Sequence, residues 1–176
     1  DKELGGVRLN ADIRRDSACT TRVIGYVSPK MKGLDLHIQA GGTPLSFLQP
    51  FVENIFSNVN GSVHGDVRLF GPFSQLDLEG KVKAQMQMKV NILNATFLAS
   101  ADSVHIASGL FRFQNVRLQD TEGHTGLANG ELRHTKLNNL NYQFRFNTDR
   151  TLVFHSEKET PEFPFYGHIY ATGNVF

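Results

Sequence analysis

Seven histidines and seventeen acidic side chains in 176 residues could build a metal site or an acid–base pair, so their spacing decides what they do. The tightest group is Asp120, Glu122 and His124 in QDTEGHTG. Carboxylates two and four residues from an imidazole could share a proton, but the glycines and threonines around them read more simply as a polar turn. His64, His105 and His168 fall in alternating segments and are expected to decorate a solvated strand face. The chain has no G-x-S-x-G, H-E-x-x-H or C-x-x-C motif and no glycine-rich phosphate loop after a strand. Asn60-Gly61-Ser62 and Asn94-Ala95-Thr96 fit the glycosylation pattern, which short chains often contain by chance. The single cysteine, Cys19, cannot form an internal disulfide. The residues therefore point away from an enzyme: no catalytic set, cofactor site or metal site is expected.

Charge narrows the partners. Eighteen basic side chains against seventeen acidic ones leave a net charge of +1, without the basic footprint that nucleic-acid binding needs. The length suits about one domain with a core of its own. No apolar run approaches the roughly 20 residues of a membrane-spanning helix. The chain begins at Asp1 and stops at Phe176 inside a strand-like pattern, so it is expected to be a piece of a longer protein.

Period two is the dominant signal. In LDLEGKVKAQMQMKVNI, residues 76–92, the even positions are Leu76, Leu78, Gly80, Val82, Ala84, Met86, Met88, Val90 and Ile92, and every odd position is charged or amide. Such alternation gives a strand with one dry and one wet face, here about twice the ordinary strand length. The same period recurs in VRLNADI, LDLHIQA (Leu34, Leu36, Ile38, Ala40) and GSVHGDVRLFG (Val63, Gly65, Val67, Leu69). It continues through SVHIA, GLFRFQ and NVRLQD, then LNYQFRF (Leu140, Tyr142, Phe144, Phe146) and YGHIYATGNVF. Gly71-Pro72 and similar pairs mark turns. Strands at this spacing predict an all-β, mostly antiparallel meander.

One segment departs from that period. Leu48, Phe51, Val52, Ile55 and Phe56 fall at the spacing of an amphipathic helix. Pro50 would kink a longer helix, so a short one over about 47–57 is predicted. It divides the chain into leading strands at 1–42, a helical segment at 43–58 and a β meander at 59–176. The helix serves either as a crossover or as a plug for an open end of the sheet.

What so long an apolar stripe faces has two answers on pattern alone. It packs on a second sheet, as in a β-sandwich, or it lines a curled sheet as an open groove. Met86 and Met88 are adaptable side chains suited to varied partners. Fourteen phenylalanines and no tryptophan make the apolar surface greasy rather than hydrogen-bonding.

The order of the segments carries a resemblance. NVNGSVHGDVRLFGPFSQLDLEGKVKA resembles the G-x-v-x-G-x-v-x-l-x-G repeat of the TamB (translocation and assembly module) family, within the broader AsmA-like, bridge-like lipid transfer group. SGLFRFQNVRLQDTEGHTGLANGELRH is similar to the family's following unit, and FPFYGHIYATGNV to the signature after it. PLSFLQPFVENIFSNVNG resembles the segment ahead of the first repeat, so residues 45–176 are covered in order. The resemblance implies an elongated β-taco, a trough with an apolar interior. It also implies a full-length protein anchored in the inner membrane, standing in the periplasm of a diderm bacterium and reaching a TamA-like barrel-assembly partner at the outer membrane. The expected role is to conduct phospholipid between the membranes, to assist outer-membrane protein assembly and secretion, or both. Its partners would be acyl chains or apolar strands of nascent outer-membrane proteins.

Taken together, the stripe and the resemblance predict a groove lined by Leu36, Val67, Leu69, Leu78, Val82, Ala84, Met86, Met88, Val90, Leu140, Tyr142, Phe144 and Phe146. Lys81, Lys83 and Gln87 should face solvent. The competing readings are a structural β-rod and an ordinary β-sandwich binding module, each with a self-packed core.

Overall fold

The computed structural model describes residues 5–14, 20–135 and 138–175, and within these the side chains of Thr20, Phe47, Leu48, Phe51, Asn138, Leu140, Asn174 and Val175 stand outside the description. Cys19 also lies outside the described residues. Ten strands form one antiparallel sheet in chain order: β1 (Val7–Arg14), β2 (Thr20–Ser28), β3 (Gly33–Pro44), β4 (Phe56–Pro72), β5 (Asp77–Val90), β6 (Ala95–Ala107), β7 (Leu110–Asp120), β8 (Thr125–Thr135), β9 (Asn138–Ser156) and β10 (Gly167–Val175). The sheet is not closed: β1 and β10 are its two edges. There is no second sheet among the described residues, so the sandwich reading is not met.

Antiparallel partners share a face, so register turns the sequence stripes into one surface. Leu36 stands opposite Leu69 and Leu69 opposite Leu78. Another row runs from Val82 to Val104, Phe113, Gly130 and Phe144 across five strands. The opposite face is polar. There Arg68 of β4 holds Asp35 of β3 through two hydrogen bonds of 2.8 and 2.7 Å and Glu79 of β5 through one of 2.9 Å. Arg112 and Arg133 share Glu131 in the same way on β7 and β8.

The buried core sits on the apolar face of the middle strands. Val82, Ala99, Ala101, Val104, Val116 and Ala128 form it, with Val63, Val67, Met86, Met88, Ile106, Phe113, Leu118 and Phe146 packed around. A single layer can bury these residues only by curling on itself. Four glycines sit where neighbouring backbones come close. Gly25, Gly61, Gly65 and Gly80 have φ between +142° and +153°, and a Cβ on any of them would run into a backbone carbonyl of the neighbouring strand. Only glycine tolerates that approach at little cost.

At the far end the curl becomes a cap. β9 pairs with β8 only as far as Thr148, and its continuation to Ser156 passes beyond β8 while still paired with β10. This overhang reaches back to β6, β7 and the short 3-10 turn Asn91–Leu93. Thr151, Leu152 and Phe154 are buried there, as are Ala95 and Phe97 on β6. Asn94 donates to the carbonyl of His155 at 2.5 Å, tying the two ends together.

The helical segment is shorter and earlier than its periodicity predicts. A 3-10 turn, Leu45–Leu48, runs into one α turn, Gln49–Val52, and Phe56 already belongs to β4. The reason is competition for backbone groups: Phe56 and Ser57 pair with Val90 and Lys89 of β5, so the chain leaves the helix at Val52. Of the expected helix face, the side chains of Leu48 and Phe51 lie outside the described residues, and Val52, Ile55 and Phe56 are half-buried. The segment is fastened instead by Leu45 and Val59, both buried, and by Gln49. Its amide donates to the Phe56 carbonyl at 3.0 Å and accepts from the Val59 N–H at 2.9 Å.

Candidate functional site

The long alternating strand places its residues as their parity dictates. Val82 is buried, Leu78, Ala84, Met86, Met88 and Val90 are half-buried on the inner face, and Lys81, Lys83 and Gln87 are exposed on the other. Leu36, Val67 and Leu69 join them from β3 and β4. Tyr142, Phe144 and Phe146 share the face but lie four strands away on β9, where Phe144 meets Phe113 at 5.5 Å between ring centres rather than β5. The side chain of Leu140 lies outside the described residues.

Exposure across this face is graded. Val82 keeps 8% of its surface, whereas Val7 and Ile13 on β1 keep 66% and 59% and Tyr142 on β9 keeps 61%. The apolar face is therefore open along both flanks and covered in the middle. Exposed contiguous apolar surface of this kind marks a place where something apolar binds.

Several wall residues escape notice in the sequence. Phe97, Ala99, Ala101, Val104, Phe113, Val116 and Leu118 line β6 and β7 with inner parity. Register shifts explain the omission. The pairing skips between Ala101 and Val104 and between Phe113 and Val116, so the inner positions fall three apart instead of two. A β-bulge adds one residue and resets the alternation. The two out-of-phase signals GLFRFQ and NVRLQD are in fact one strand, β7, and the change of phase itself is the sign of a bulge.

Asp120 is the main polar group at the capped end. Its side chain is fully buried, and its pattern in sequence reads only as a turn. One oxygen accepts the N–H groups of Glu122 and His124, both at 2.9 Å; the other accepts the Leu152 N–H at 2.8 Å and lies 3.0 Å from the His124 ring. Burial alone would push this carboxyl up, but the Leu152 amide, the His124 ring and the turn amides outweigh it and hold it below the usual carboxylate range. Tyr170 of β10 donates to Glu122 of the same turn and lies under Arg150 at 4.2 Å, a second tie between cap and turn. Glu122 pushes the Tyr170 hydroxyl up from its ordinary value. Within the cap, Phe154 clusters with Phe163 and Phe165, with ring centres 4.9 to 6.5 Å apart.

Two pairs of threonines near the wall bond to each other. Thr21 meets Thr43 at 2.6 Å, and Thr148 meets Thr151 at 2.7 Å while also donating to the Thr125 carbonyl. Such pairing matters because a buried polar group without a partner is costly. His64, His105 and His168 are exposed, as expected from their parity. Of the two glycosylation patterns, Asn94 is engaged with His155 while Asn60 is exposed. No group of three or more His, Cys, Asp or Glu side chains that could hold a metal ion occurs among the described residues. No helix among them is long and apolar enough to cross a membrane.

What the arrangement can do is hold extended apolar matter. Its wall offers no directional anchors in the middle, so attraction is non-directional and position along the wall is unconstrained. Comparison of the chain with models of known protein families, with curated proteins and with solved structures finds no match.

Proposed function

We propose that the inner face is a groove that conducts phospholipid acyl chains, as the resemblance to the TamB and AsmA-like group implies. The reading places the protein in the periplasm of a diderm bacterium, between an inner-membrane anchor and a TamA-like outer-membrane partner. The observation that carries it is an apolar face that crosses one open sheet and is exposed along both flanks, with no second sheet among the described residues. Each methylene withdrawn from water contributes about 0.8 kcal/mol, so even partial cover of an acyl chain holds it by several kcal/mol. The polar headgroup can remain in water at the open flanks, where Val7, Ile13 and Tyr142 are exposed.

The uniform lining suits passage better than storage. A pocket fixes its ligand with a few placed polar groups, whereas the threonines Thr21, Thr43, Thr148 and Thr151 of this wall bond to one another. The test is native mass spectrometry of the protein purified without detergent and incubated with phospholipid vesicles. Discrete adducts of phospholipid mass support the reading. Protein free of lipid after incubation, with full retention of fold, counts against it. The other cargo, apolar strands of nascent outer-membrane proteins, would leave peptide rather than lipid adducts.

A further inference from the structure

Gly126 of β8 is a glycine that its own backbone conformation does not require. Gly25, Gly61, Gly65 and Gly80 stand at positive φ with a neighbouring carbonyl where a Cβ would go, whereas the φ of Gly126 lies outside the left-handed region. A Cβ built at Gly126 would first meet Cζ and Cε2 of Phe146, at 2.7 and 2.8 Å, and then the Asn147 carbonyl oxygen at 3.0 Å. Phe146 stands opposite Ala128, so its ring leans diagonally across β8 and lies on the bare Gly126 backbone. Glycine inside a strand costs order and brings no side chain to pack. Here it makes a seat for a ring.

The seat belongs to a row of the inner face. Met86 of β5 stands opposite Ala99 of β6, Ala99 opposite Leu118 of β7, and Leu118 opposite Gly126. Phe146 packs against the buried middle, while Tyr142, two inner positions away on the same strand, is 61% exposed. A seated ring is part of the groove wall; a ring lifted from Gly126 would stand in the row beside Leu118. We propose that Gly126 sets the clearance between the covered middle of the groove and its β9 flank, by holding the Phe146 ring out of the path of an acyl chain. This rests on the reading of the inner face as an acyl-chain groove, and adds the residue pair that governs passage along it. A methyl group added at position 126 would displace the ring before the strand, since the ring can change rotamer while the backbone is held by its ladder.

The experiment places a single photo-crosslinking residue at Leu118 or at Tyr142 of the whole chain, incubated with vesicles of dioleoylphosphatidylcholine. Wild type, Gly126→Ala and Gly126→Ala/Phe146→Ala are compared, each with circular dichroism and a thermal melt. Wild type should be labelled at both positions. Gly126→Ala should keep its label at 142 and lose about fivefold or more at 118, the scale of an overpacked site. The double variant should recover the label at 118. A pair that serves packing alone would lower the melting temperature of Gly126→Ala without separating the two labels, and that result overturns the proposal. So does a double variant that fails to recover, or a wild type labelled at 142 but not at 118. Wild type labelled at neither position overturns the groove reading and this inference with it, whereas unchanged labels in a folded Gly126→Ala overturn this inference alone. Should Gly126→Ala fail to fold, the ring-current shift of the Gly126 Hα protons decides without substitution. It should persist in wild type when dihexanoylphosphatidylcholine is added; its loss would show lipid displacing the ring, and would overturn the proposal.

Discussion

The Asp120 carboxylate accepts the Leu152 backbone N–H at 2.8 Å, although the two residues are 32 positions apart. Through this bond the turn between β7 and β8 grips the overhang of β9, and one buried side chain holds the cap on the end of the trough. Asp120→Asn should therefore cost about 2–3 kcal/mol, since an amide cannot serve all four donors and leaves buried groups unpaired. Thermal melts measure the cost. Hydrogen exchange at Leu152 should rise more than at Val82, because the cap opens before the middle of the sheet.

Acid should act on the same bond. Asp120 titrates below its ordinary range in the folded chain, so its contribution to stability is full above the unfolded value, near 3.9, and is lost as pH falls through the lower folded value. Asp35, held down first by Arg68, has the same sign. Stability should accordingly decline below about pH 4, and Asp120→Asn should flatten part of that decline. A pH–stability curve for the variant parallel to that of wild type would remove Asp120 from the account.

Gly80→Val tests the curl. The substitution adds a side chain at φ near +152°, against the Asp66 carbonyl, and should destabilise by about 1–3 kcal/mol while leaving strand content in circular dichroism nearly intact. Loss of only a few tenths would mean that the sheet reaches its curvature without this glycine.

The helical segment offers a separate check. Leu45 is 6% exposed, and Leu45→Ala should cost about 2–4 kcal/mol as a buried leucine truncation. Val52→Ala, at a half-buried position of the same segment, should cost clearly less. Equal costs would argue that the segment docks through the whole face its periodicity suggests.

How much of this was legible follows from how local each signal is. The face of β5 could be read because its alternation runs without a bulge from Asp77 to Val90 and each residue's side is set by parity alone. GLFRFQ and NVRLQD could not be joined into β7, because the shift after Phe113 reverses the parity midway, as the shift after Ala101 does in β6. The helix was over-extended because Phe56 fits a helical face as well as it fits β4, and only pairing with Val90 decides between them. Asp120 looked like a turn residue, which it is; its grip on Leu152 depends on a strand 32 positions away and leaves no local mark. Phe144 shares the face of β5 but lies four strands away, against Phe113, since parity gives the side and not the neighbour.

The central claim is that the inner face, and not the outer, carries lipid. Single photo-crosslinking residues at Met86 and at Gln87, adjacent in β5 and opposite in parity, test it in one experiment with phospholipid vesicles. Met86 stands between Gly61 and Ala99 on the inner face, and Gln87 between Asn60 and Leu98 on the outer. The account predicts lipid adducts at 86 and almost none at 87. It further predicts that Met86→Asp stays folded but loses lipid, because the new carboxylate has none of the donors that Asp120 enjoys and sits where acyl chains must pass, while Gln87→Asp keeps both. Equal adducts at the two positions, adducts at 87 alone, or a Met86→Asp chain that fails to fold beside a folded Gln87→Asp would contradict the groove.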